Sequence, residues 1–113
     1  MSGRFTPDQR LIYNAVFDAQ NQVEATMKPG VSWVAMHQLA ERVILRHLFR
    51  LGLCVVAGVT DEDKAVEVLM ENKVGALFMP HGLGHFLGLI VHDVGGFTED
   101  HQRHHDEGEL RLR

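Results

Sequence analysis

Residues 81–96 read HGLGHFLGLIVHDVGG and gather three histidines, His81, His85 and His92, with five glycines. Imidazole is the commonest metal-binding side chain and titrates near neutral pH, so this density points to metal binding or acid–base chemistry. Glycine lets backbone and ligand approach closely, leaving room for imidazoles to converge on one point. His81 and His85 stand four apart, a spacing that would align them on a helix, but Pro80, Gly82, Gly84 and Gly88 predict a loop entering a strand instead. His92 lies seven beyond His85. An extended 86–91 would put about 20 Å between them unless the chain folds back, so one ion is not expected to take all three. Histidines can also simply hydrogen-bond within a glycine-rich turn. Asp93 can orient a neighbouring histidine or the turn, and serves equally well as a solvated loop carboxylate.

Two familiar metal patterns fail. A zincin helix needs H-E-x-x-H, and no Glu stands between His81 and His85. A zinc finger needs paired thiolates, and Cys54 is the only cysteine. Cys54 cannot form an internal disulfide, and within the apolar LGLCVVAG it reads as a small buried hydrophobe in a reducing compartment.

Elements that could carry the histidines are legible upstream. Thr6-Pro7-Asp8-Gln9 reads as a helix start with a capping box, and Leu11, Ile12, Ala15, Val16, Ala19, Val23 and Met27 form one apolar stripe until Pro29-Gly30. The spacing predicts a helix over 7–27. Ser32 caps a second helix whose stripe runs Trp33, Met36, Leu39, Ala40, Val43, Ile44, Leu48 and Leu51, with Gly52 as its stop. Thr60 with Asp61, Glu62 and Asp63 starts a third, carrying Ala65, Val66, Val68, Leu69 and Met70 and ended by Gly75. The short apolar runs 76–79 and 86–91 are expected to be buried strands. TEDHQRHHDEGELRLR, at 98–113, reads as an exposed polar tail with His101, His104 and His105 solvated.

The 113 residues allow one small domain. Eleven Lys and Arg against fifteen Asp and Glu give a formal charge of -4, which argues against nucleic-acid binding. No apolar run reaches the roughly 18–20 residues that span a bilayer, so no membrane role is expected and the cytoplasm is the expected location.

FMPHGLGHFLGLIVHDVGG, residues 78–96, closely resembles the histidine motif of the Xaa-Pro dipeptidases (prolidases), within the pita-bread metallopeptidases that include aminopeptidase P and methionine aminopeptidase. FTPDQ at 5–9, MKPGVSW at 27–33, MHQLAERVI at 36–44 and KVGALFMPHG at 73–82 resemble the same family in the same order, so the likeness covers about 3–97. It implies an α/β (α+β) fold, a partial pita-bread of about three helices on an incomplete antiparallel sheet. It implies an enzyme that hydrolyses the peptide bond before a C-terminal proline, with two divalent ions, usually Mn2+, sharing the attacking water. By position His85 matches the metal-ligand histidine, while His81 and His92 match histidines that line the substrate site and assist catalysis.

The family's other metal ligands are two aspartates before FTPDQ and two glutamates well after VHDVGG, and none has a counterpart here. One imidazole cannot hold a bridged pair of hard ions, so the isolated chain is expected to be inactive, a catalytic-domain segment over 1–97 with a poorly matched tail. Ile90 replaces the family's common aspartate before V-H-D. The alternative is a non-catalytic module that keeps the helical layer and pairs through exposed apolar faces, as a homodimer or with a longer relative.

Overall fold

The computed structural model describes residues 3–93, as three helices: α1 (Pro7–Thr26), α2 (Trp33–Arg50) and α3 (Glu62–Glu71), followed by a single 3₁₀ turn at Val74–Leu77. α1 starts as its sequence predicts. The Thr6 hydroxyl accepts from the Gln9 amide and the Gln9 side chain accepts from the Thr6 amide, so two otherwise unpaired donors are satisfied reciprocally. Ser32 occupies the N-cap of α2 but its side chain makes no capping hydrogen bond. The C-terminus of α2 closes on Gly52, whose φ of 71° places it in the left-handed region. There the Gly52 amide donates to Phe49 and the Leu53 amide to Leu48, which satisfies the last carbonyls of the helix.

α2 is the central element, with α1 on one side and α3 with the 3₁₀ turn on the other. Ala19 and Val23 of α1 pack with Met36, Ala40 and Val43 of α2, and Met79 joins this cluster from beyond the turn. Leu45, Leu48, Cys54 and Leu69 form the second cluster, between α2 and α3. Arg42, Arg46 and Arg50 recur every four residues along α2 and face the acids of α3. Arg42 pairs with Glu67, Arg46 with Glu62 and Asp63, and Arg50 with Glu62 through two hydrogen bonds of 2.6 and 2.8 Å. The Arg50 bond is the main reason that the Glu62 carboxyl is held below its ordinary range.

The third helix starts where its acids predict: Asp61 is the N-cap, its carboxylate accepting from the Lys64 amide, and Glu62 and Asp63 lie in the first turn. Two expectations are corrected. The third helix ends at Glu71, with Lys73 left-handed at φ 55°, before Gly75 is reached. The runs 76–79 and 86–91 are not strands. Gly75 accepts from the Phe78 and Met79 amides, closing a tight turn, and 86–91 bends back on itself. A strand needs a neighbouring ladder for its backbone groups, and among the described residues the only β pairing is the isolated Val56–Val59 bridge.

Apolar surface is left open accordingly. Leu11, Ile12 and Val16 of α1 are exposed although they belong to the predicted stripe, and so are Tyr13 and Phe17 beside it and Leu87, Leu89, Ile90 and Val91 in the loop. Among the described residues no helix is long and apolar enough to cross a membrane. The expected tail over 98–113, with its three histidines, lies outside the described residues.

Candidate functional site

The histidine loop leaves the core at Met79, which is 8% exposed, and touches it again at the half-buried Leu83. Pro80, His81 and Gly82 arch outward between those anchors. At Leu83 the chain is held by α2, since the Trp33 indole Nε1–H donates to the Leu83 carbonyl at 2.6 Å. Gly84 then turns the chain with φ +66°, a conformation glycine adopts without strain, beneath the Trp33 ring. His85 follows immediately.

Both loop imidazoles are exposed and bonded to the carbonyl of the following residue. His81 Nδ1 lies 3.1 Å from the Gly82 oxygen and His85 Nδ1 lies 2.9 Å from the Phe86 oxygen. A carbonyl only accepts, so each bond places the ring proton on Nδ1 and, in the neutral imidazole, leaves the Nε2 lone pair free. That is the tautomer a metal ligand or proton acceptor at Nε2 requires.

The fold-back brings His92 to His85. The Asp93 amide donates to the Phe86 carbonyl at 3.1 Å, and the Gly88 amide to the Ile90 carbonyl at 3.2 Å. Inside this turn the Asp93 side chain packs on Gly88 so closely that any Cβ there would overlap its carboxylate. The His85 and His92 rings consequently meet edge to face, with centroids 4.6 Å apart. Extended spacing along 86–91 would have kept them apart, so the turn is the physical reason two of the three histidines come together. His81 stands outside that pair, at the other end of the loop.

Among the described residues no three His, Cys, Asp or Glu side chains converge to hold a metal ion. Sequence reasoning missed Trp33 as a part of this site. The signal was weak, because a tryptophan on an apolar helix stripe reads as core, and its bond to a residue fifty positions later is tertiary.

Cys54 stays outside the site. It is 7% exposed in the α2–α3 cluster, and burial pushes its thiol above the ordinary 9.0, which favours the protonated form.

Comparison with known proteins agrees with the motif. Residues 1–111 match the family model "Metallopeptidase family M24". The chain is 48% identical over 112 residues to the Xaa-Pro dipeptidase of Rattus norvegicus and 44% identical to that of Homo sapiens, covering 99% of this chain and 21% of either relative. It is 43% identical to a probable Xaa-Pro aminopeptidase of Penicillium rubens, over 85% of this chain and 19% of that protein. The chain thus spans about a fifth of the length of these curated relatives. With a family model matching almost its whole length, and with the histidine loop and its glycines in place, this chain belongs to metallopeptidase family M24.

Proposed function

We propose that this chain supplies the histidine-loop segment of an Xaa-Pro dipeptidase, a hydrolase that cuts the peptide bond before a C-terminal proline. The observation that carries the reading is the loop itself: His85, with its Nδ1 proton committed to the Phe86 carbonyl, presents Nε2, and His92 stands beside it. In that role His85 is a metal ligand, and His81 and His92 bind substrate and assist catalysis as hydrogen-bond donors to the carbonyl or carboxylate of an Xaa-Pro dipeptide. The segment is 1–97, with 98–113 as a polar extension, and the parent fold is pita-bread, with the helices lying on a curved sheet. The divalent ions, Mn2+ by family habit, take their remaining ligands from other parts of the parent domain, whose place is the cytoplasm.

The test has two arms. Purified chain, dialysed against manganese, is expected to hold well under two ions per molecule by elemental analysis and to leave glycyl-proline intact. Near-stoichiometric metal pairs with turnover abolished by His85→Ala would overturn the reading that the chain is inactive alone. In a longer protein carrying this segment, His85→Ala should strip metal, whereas His81→Ala or His92→Ala should lower the rate by about 10²-fold or more with metal retained. Loss of metal in either of the latter would reverse the roles.

A second reading is favoured by α1. Phe5 packs on Tyr13 at 4.9 Å and Tyr13 stacks on Phe17 at 5.9 Å, and with Leu11, Ile12 and Val16 they form an exposed apolar face. A non-catalytic module would associate through that face, as a homodimer. Sedimentation of the chain and of Phe17→Glu tests the homodimer: a dimer dispersed by the charge supports the module, and a monomer in both excludes self-pairing through this face.

A further inference from the structure

Trp33 opens α2, yet its indole works on the histidine loop. Three contacts meet at the middle of HGLGH. The Leu83 side chain packs on the α1–α2 cluster with Trp33 and Met79, the Leu83 carbonyl accepts from the Trp33 Nε1–H at 2.6 Å, and Gly84 lies 3.4 Å from Trp33 Cζ2 by the position a Cβ would take. His81 and His85, on either side, are held by weaker contacts: among the described residues each imidazole hydrogen-bonds only to the carbonyl of the residue that follows it, and His85 additionally meets the exposed ring of His92. Both side chains are exposed, so their position is inherited from the backbone between them.

We propose that Trp33 is a positioning residue, whose indole N–H and ring fix the backbone of residues 82–84 and thereby set where His81 and His85 present their imidazoles. This rests on the reading of those two histidines as site residues. The indole N–H is a donor with no acceptor function, and its bond to the carbonyl of the half-buried Leu83 is short, at 2.6 Å. Removing the donor leaves that carbonyl to find water, which it does by moving outward and taking the loop with it. The ring supplies the floor on which Gly84 turns. A Cβ at Gly84 would rest on that floor at ordinary contact distance but, at φ +66°, would be strained, so glycine makes the turn and the tryptophan supports it.

Because Trp33 is the chain's only tryptophan, the device can be tested at one atom. Semisynthesis by ligation at Cys54 can replace Trp33 with β-(3-benzothienyl)alanine, which keeps the bicyclic shape and exchanges N–H for sulfur; Trp33→Phe is the second variant. Backbone 15N order parameters are then measured along the full 113-residue chain. The expected result is a fall at residues 82–85 from about 0.85 to below about 0.6 in both variants, with α1 and α2 unchanged. The imidazole resonances of His81 and His85 should shift while those of His37 and His47 stay in place. Unchanged order at 82–85 in the sulfur analogue would overturn the proposal, and an equal loss of order through α1 and α2 would reduce Trp33 to an ordinary core residue. The readout needs no turnover, so it remains valid if the histidine roles themselves fail: a His85→Ala parent that keeps its metal would sink those roles and leave the tether standing.

Discussion

The imidazoles of His85 and His92 meet with ring centroids 4.6 Å apart and planes at 88°. Seven positions separate them in the chain, and the contact exists because the Asp93 amide closes on the Phe86 carbonyl around a crowded Gly88. A methyl at Gly88 would stand 2.6 Å from Asp93 Cγ, well inside van der Waals contact. Gly88→Ala is therefore expected to expel the Asp93 side chain and open the turn. The nuclear Overhauser contact between the two imidazoles, present in the parent, should disappear with helical circular dichroism unchanged. Its survival would show that Asp93 swings aside without moving His92.

Acid sensitivity should reside in part at Asp18. Its carboxylate accepts from His47 Nε2 at 2.9 Å and ties α1 to α2. The hydrogen bond from His47, followed by one from Gln22, holds the Asp18 carboxyl below its ordinary 3.8, with lesser help from the charges of His47 and Arg50. A depressed carboxyl pKa stabilises the folded state above the unfolded value and loses that contribution as pH falls through the folded one. Both side chains are partly exposed, so the pair is worth about 0.2–1 kcal/mol, or roughly 1–5 °C in Tm for a domain of this size. Asp18→Asn should show that deficit at pH 7 and lose it below pH 3.8. A deficit that persists to pH 2 would assign the effect to packing.

The α2–α3 core has little tolerance. Leu45 is fully buried beside Leu48, Cys54 and Leu69. Leu45→Ala should cost about 2–5 kcal/mol, which is a large share of what a domain this small can hold. Urea unfolding followed at 222 nm should show the midpoint collapse. Leu89→Ala, at a fully exposed position, should stay within about 0.5 kcal/mol of the parent. Equal effects would mean that Leu89 is buried in solution.

Burial raises the Cys54 thiol above 9.0. Ellman's reagent should label it at least about tenfold faster in urea than in the folded chain, since the thiolate is the reacting species. Fast labelling without urea would mean that the α2–α3 cluster opens readily.

The sequence by itself determined the three helices, because each rule that sets them acts within a few residues: the Thr6–Gln9 capping box, the left-handed Gly52, the acids ahead of α3 and the spacing of apolar positions. It also determined the family, through the order and identity of the histidines and glycines in 78–96. It misled where residues of strand type had no ladder to join. In 76–79 and 86–91 the backbone groups bond locally instead, and composition carries no information about whether a partner strand is present. Tertiary structure alone decided which half of the α1 stripe is covered, since Ala15, Ala19 and Val23 are buried, the last two against α2, while Leu11, Ile12 and Val16 stay open. It alone decided that His92 turns back to His85 while His81 stays apart, and that a tryptophan at the head of α2 holds the loop between them. Those relations join positions 7 and 50 residues apart, and they follow from the path of the backbone, which no local pattern encodes.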